Sequence, residues 1–191
     1  MHCQMAKNSN NAKKGVCMSQ QSLRSGTKTH RIAVIDGPNM SNLGARNKRV
    51  YGKINSLSDL QAYVVETGQK LGVEVEVFAS NYEGAILEFI HESANRVDGY
   101  IINPAGLTVV GEATRHALEE TQKPVVEVHF ANIVCPPTAP RGLPGGPWES
   151  KFSRSATGVA MGLRQYSYVA ALTGLTLALD DETFLGAPAV A

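Results

Sequence analysis

The chain has 191 residues, of which 43% are hydrophobic and 18% charged, a balance that suits one folded domain plus a tail and excludes a wholly disordered chain. A formal net charge of +1 gives no global pull toward nucleic acid or an anionic membrane, and there is no apolar run of the ~18 residues that a transmembrane helix needs. The three cysteines, Cys3, Cys17 and Cys135, lack CxxC spacing, which argues against a disulfide framework or structural zinc site and fits a reducing, cytoplasmic setting.

Residues 1–30 are rich in Ser, Asn, Gln and Lys. They carry five basic residues (Lys7, Lys13, Lys14, Arg24, Lys28) and no Asp or Glu. Without an apolar core segment this is no secretory signal. It reads as a disordered basic tail, with Met18 as an internal start or an organellar transit peptide as alternatives. From Arg31 the pattern alternates between β-branched runs and helical periodicity. Strands are expected at 32–35, 73–79, 99–103, 124–129 and 156–161. Residues 36–55 read as a polar loop. Helices are expected at 58–71, 83–95, 111–121 and 165–179, the first with Ser58 and Gln61 as a capping box and Gly72 as its stop. Residues 131–153 form a long Pro- and Gly-rich loop, and 181–191 a frayed end. Domain limits are therefore 31–180. Five strands interleaved with helices predict an α/β fold, a flavodoxin-like doubly wound parallel sheet of order 2-1-3-4-5.

In such sheets ligands bind beyond the carboxyl ends of the strands. The loops that begin at Asp36, Asn103 and His129 then open onto one edge. Alternation along Val125-Val126-Glu127-Val128-His129 puts Glu127 and His129 on one face. A carboxylate beside a histidine fixes its tautomer and supports its cationic form. The first loop lacks GxGxxG and Walker spacing, so it is no phosphate cradle. His91 and His116 fall in helices, and no metal-ligand spacing is present, so no metal is expected.

The run Asp36-Gly37-Pro38-Asn39, Leu43-Gly44-Ala45-Arg46 and Tyr51-Gly52 resembles the signature of the type II 3-dehydroquinate dehydratases. Three further stretches resemble that family in the same order: Ser80-Asn81-Tyr82-Glu83-Gly84, Ile102-Asn103-Pro104-Ala105-Gly106-Leu107-Thr108, and Pro124-Val125-Val126-Glu127-Val128-His129 with Asn132. The resemblance implies a cofactor-free lyase that dehydrates 3-dehydroquinate through an enolate, in the shikimate pathway or quinate metabolism. It implies trimers assembled into a homododecamer, and a small cyclic keto acid as partner rather than nucleic acid or membrane. It makes Tyr51 the base, Arg46 its activator, His129 the acid and Glu127 the residue that orients it. Asn39 and Asn103 would hold the enolate water and the substrate, with Phe130, Ala131 and His116 at further substrate-binding positions.

A phenol has a pKa near 10, and lowering it by about 3 requires roughly 4 kcal/mol. One guanidinium about 4 Å away at an effective dielectric near 20 supplies about that much, which is the role expected of Arg46. Several grip positions depart from the family. Val109 stands where the family has a substrate-binding His, His116 where it has Asp, Ala131 where it has Ser, and Pro136 where it has Arg. Asp36 replaces the usual Asn, and Lys48 the usual Pro. Arg141, Lys151 or Arg154 are the available substitutes for the displaced arginine. These departures leave two alternatives: a related lyase or isomerase on another carbonyl substrate, or a non-catalytic paralogue.

Overall fold

In a computed structural model, which describes residues 23–181 and 183, five parallel strands form one sheet in the order β2-β1-β3-β4-β5. The strands are β1 (Arg31–Asp36), β2 (Glu74–Ala79), β3 (Gly99–Asn103), β4 (Val125–His129) and β5 (Gly158–Met161). The doubly wound order expected from the sequence is the one observed. The helices are α1 (Lys48–Tyr51), α2 (Leu57–Leu71), α3 (Glu83–Ser93), α4 (Glu112–Glu120) and α5 (Tyr166–Asp180). None of the helices among the described residues is long and apolar enough to cross a membrane.

Strand alternation sorts the core into two layers. Ile32, Val34, Ile101 and Val128 face one side and pack with Leu60 and Val64 of α2 and with Leu172 and Leu175 of α5. Ala33, Ile35, Ile102 and Val125 face the other and pack with Ile86 and Ile90 of α3 and Leu118 of α4. Both faces of the sheet are covered, which is why its central strands are apolar on both sides.

Two local expectations change. Helix α2 begins two residues earlier than the Ser58–Gln61 box requires. Its N-cap is Ser56, whose Oγ accepts the Asp59 N–H at 3.0 Å. Ser56 wins because its extended backbone, not that of Ser58, marks the entry to the helix. The segment read as a polar loop also holds a 3-10 turn at Met40–Ala45 and the four-residue α1. Met40, Leu43 and Tyr51 are buried there, so three scattered side chains fold the loop onto the sheet.

Of the stretch read as a tail, residues 1–22 lie outside the described residues, as does most of 181–191. The remainder is tied down. Arg24 donates to both carboxylate oxygens of Asp180, at 2.9 and 2.8 Å, and to the carbonyls of Leu71 and Gly72. The buried His30 places Nε2 2.8 Å from Asp180 Oδ1. Ion pairing across the chain thus holds a segment that composition alone marks as polar.

The hydrogen bonds from Arg24, against the cost of burial and with help from His30, hold the Asp180 carboxyl well below the ordinary carboxylate range. A lowered acid contributes stability that is present above its unfolded pKa, about 4, and is lost as pH falls below it. In urea unfolding, the advantage of wild type over Asp180→Asn is expected to be large at pH 7 and to shrink at pH 3. An equal advantage at both pH values would refute the ion-pair account.

Candidate active site

A cavity of about 590 Å³ opens beyond the carboxyl ends of β1, β3 and β4. Close packing builds its floor. Gly37 follows β1 and donates its N–H to Asn103 O at 2.8 Å, and a Cβ on Gly37 would sit 2.3 Å from Pro104 O. Only glycine fits there. Ala105, on the cavity wall, holds a left-handed φ of 49°, a conformation that costs a non-glycine residue about 1–3 kcal/mol.

His129 and Glu127 share one face of β4, as alternation requires. His129 Nε2 lies 2.6 Å from Glu127 Oε1, and His129 lines the cavity. Glu127 is fully buried and lies behind it. Burial pushes the Glu127 carboxyl up, but hydrogen bonds from His129, Ser150 and Ser153 outweigh that and hold it below its ordinary value. Ser153 Oγ donates to Glu127 Oε2. The carboxylate therefore stays ionised and fixes the imidazole's orientation and tautomer. Neither serine was singled out in the sequence. They sit at the end of a Gly- and Pro-rich loop whose spacing carries no periodic signal.

Tyr51 ends α1 and lines the cavity with Arg46, Asn47 and Val50. The Arg46 guanidinium carbon stands 3.8 Å from the centre of the Tyr51 ring. This is a cation–π stack on the ring face. Burial of Tyr51 raises its phenol, and the Arg46 charge, which lowers it, does not cancel that. The lowered pKa expected from the sequence is thus corrected. The charge is close, but it is directed at the ring rather than at the hydroxyl. Gly52 follows at φ 78°, capping the short helix with its N–H on Lys48 O.

Asn103 lines the cavity, yet its amide is held by the protein. Nδ2 donates to Tyr168 Oη at 2.8 Å and lies 3.3 Å from Met40 Sδ, while Oδ1 accepts the Ala105 N–H at 3.2 Å. Tyr168 Oη in turn donates to Asp36 Oδ1. Asp36 and Tyr168 are both almost fully buried, and Tyr168 was not picked out in the sequence because it reads as one more apolar residue of α5. Burial pushes the Asp36 carboxyl up to about 7, although Tyr168 and Asn103 oppose it.

Phe130 and Ala131 line the cavity, as does Val109. Asn39 is exposed, in a left-handed conformation at φ 74°, and borders the cavity through its neighbour Gly106. His116 does not line the cavity. It is exposed on α4 with Nε2 3.8 Å from Glu112 Oε1, because the helix turns that position outward. The three candidate substitutes for the displaced arginine also fail to reach it. Arg154 is exposed and sits 3.7 Å from Glu149, Lys151 lies outside the lining, and every donor group of Arg141 is bonded to backbone carbonyls. Among the described residues, Arg46 and His129 are the basic side chains on the cavity wall. The loop supplies an apolar wall instead: Ile133, Leu143, Pro144 and Trp148. Among the described residues no cluster of His, Cys, Asp and Glu is arranged to hold a metal ion.

The family described as Dehydroquinase class II matches residues 30–176. The chain belongs to this family. A 3-dehydroquinate dehydratase of Clostridium acetobutylicum is 37% identical over 145 residues, 76% of this chain and 95% of that relative. One of Halothermothrix orenii is 45% identical over 104 residues, 54% of this chain and 70% of the relative. Among solved structures, the type II dehydroquinase of Butyrivibrio crossotus superposes with a TM-score of 0.68 at 31% identity, covering 77% of this chain and 97% of that one. With the family comes the reaction class, so the chain is an enzyme of the hydro-lyase type.

The Asp36 shift has a measurable consequence. A buried acid whose pKa is raised in the folded state loses stability as pH climbs from about 4, its unfolded value, through about 7. Asp36→Asn is expected to gain stability relative to wild type between pH 5 and pH 8, by a margin that grows with pH. A margin flat across that range in thermal or urea unfolding would count against a protonating Asp36.

Proposed function

We propose that the protein is a type II 3-dehydroquinate dehydratase, acting in the shikimate pathway on 3-dehydroquinate through an enolate. Tyr51 removes the proton beside the ketone, and His129, held by the ionised Glu127, protonates the departing hydroxyl. The observation that carries this reading is the meeting of Tyr51, with Arg46 on its ring, and His129, backed by the buried Glu127, on the wall of one cavity. An elimination of this kind needs one base and one acid placed separately, and these two groups arrive from different elements, α1 and β4.

Burial holds the Tyr51 phenol above its ordinary value, so it is protonated at neutral pH. A substrate that excludes water would strengthen the Arg46 charge acting on it, since screening falls as the site dries. The product is a conjugated enone that absorbs in the ultraviolet. Wild type is expected to generate that signal from 3-dehydroquinate, and Tyr51→Phe to lower kcat by at least about 10²-fold with the fold intact. No signal at high enzyme concentration would sink the substrate assignment, and a fully active Tyr51→Phe enzyme would remove Tyr51 as the base. Family membership also supports a homo-oligomer built from trimers, with light scattering as its test.

A second reading is favoured by the wall of Val109, Ala131, Leu143, Pro144 and Trp148. It keeps the same base and acid but takes a less polar carbonyl substrate. Losing one charged hydrogen bond to a substrate costs about 1.5–3 kcal/mol. With few basic groups on the wall, a carboxylate is held more weakly than its hydroxyketone ring. Under this reading, kcat/KM measured across a panel of cyclic hydroxyketones is higher for esters and neutral analogues than for 3-dehydroquinate. A preference for the free acid would reject it.

A further inference from the structure

The helix that carries Tyr51 is one turn long, Lys48–Tyr51. A single turn fixes several backbone torsions for very few hydrogen bonds and is not stable by itself. Its last carbonyls have no partner within the helix. Two of them, Arg49 O and Val50 O, immediately precede Tyr51, and both are bonded to Arg141. Nη1 donates to Arg49 O at 3.2 Å and Nη2 to Val50 O at 2.9 Å. The same guanidinium reaches the sheet: Nη2 donates to Phe130 O at 2.8 Å and Nε to Gly162 O at 2.9 Å.

Phe130 follows β4 directly after His129, and Gly162 follows β5. One side chain thus joins the base-bearing helix to the strand that carries the acid. Phe130 also touches Tyr51 directly, with ring centres 5.7 Å apart. Arg164, itself in a left-handed conformation at φ 57°, adds a bond from Nη2 to Arg49 O at 3.0 Å. The backbone of Arg141 is fixed as well, since its carbonyl accepts the Asn132 N–H at 2.9 Å. A planar fork with fixed donor directions suits this four-carbonyl arrangement, and an ammonium does not reproduce it. A cation at a helix C-terminus also meets the negative end of the helix dipole.

We propose that Arg141 is a positioning residue for the reaction: it caps the short helix, sets where Tyr51 stands relative to His129, and makes the 131–150 loop and that helix one unit. This rests on the reading of Tyr51 as the base. It assigns this loop a task other than gripping substrate. The loop supplies the brace, and the apolar wall of Leu143, Pro144 and Trp148 travels with it. Arg164 acts on the same carbonyl as a weaker second brace.

The test uses the full chain with Arg141→Ala, Arg141→Lys and Arg164→Ala. Hydrogen exchange at residues 47–52 reads the brace without reference to any substrate. Arg141→Ala is expected to speed exchange there by roughly tenfold or more, with Arg164→Ala intermediate. Unchanged exchange in Arg141→Ala would overturn the proposal. In the enone assay, a misplaced base is expected to cost about a hundredfold in kcat. KM is expected to move far less, with partial rescue of Arg141→Ala by millimolar guanidinium and weaker activity than wild type in Arg141→Lys. A loss confined to KM would overturn the proposal in favour of a direct substrate contact. If Arg141→Ala fails to fold, the lysine variant carries the same two readouts, and wild-type exchange and kcat in it overturn the proposal. Absence of turnover in wild type would strike the substrate assignment alone, because the exchange arm still reports on the brace.

Discussion

A carboxylate with no access to water is one of the most expensive groups a protein can enclose. Glu127 is such a group, set in a central strand and fully buried. It is tolerated because three donors converge on it from two parts of the fold. His129 lies two residues along the same strand. Ser150 and Ser153 lie at the far end of the long loop, which must therefore return to the sheet at that place. The loop is further pinned by the Lys151 N–H on Thr108 O at 2.8 Å and by Phe152, which is buried beneath α4. Satisfying one buried charge thus orients His129, closes the loop and fixes one wall of the cavity.

The side of the cavity that carries Tyr51 and Arg46 follows a different logic. Tyr51 and Arg46 belong to a segment with little secondary structure of its own, so their placement depends on what holds that segment. Met40 and Leu43 anchor one end in the apolar layer above β1. Arg141 and Arg164 hold the other. The two arginines converge on one carbonyl, and burial together with the Arg164 charge keeps the Arg141 guanidinium below its ordinary value. It remains a cation at neutral pH all the same. A polar brace that must be assembled from two distant loops opens more readily than an apolar core does.

Much of the scaffold was legible in the sequence because it rests on periodicity. The strands show themselves as short β-branched runs, and the pairing of Glu127 with His129 follows from the two-residue repeat. The closeness of Arg46 and Tyr51 could be read from spacing, but its consequence could not. Whether a guanidinium meets a ring face or a hydroxyl is decided by rotamers and packing, so spacing does not carry the direction of the Tyr51 shift. The same holds for Arg141, whose bonds go to carbonyls that every residue possesses and no sequence pattern marks. Ser56 outcompeted Ser58 as helix cap through backbone conformation, and the Asp36–Tyr168–Asn103 chain joins three elements that only the sheet order brings together.

The clasp formed by Arg24, His30 and Asp180 lies at the entry to β1, the end of the sheet remote from the cavity. It brings together residues 156 positions apart. Domains whose ends meet in this way tolerate a change in the order of their elements, because a short splice between the ends replaces a connection without disturbing the core. A circularly permuted chain, joined at the clasp and opened at an exposed turn far from the site, would therefore retain all four strand pairings. The order in which this polypeptide is written is less binding on its cavity edge than the positions its strands occupy.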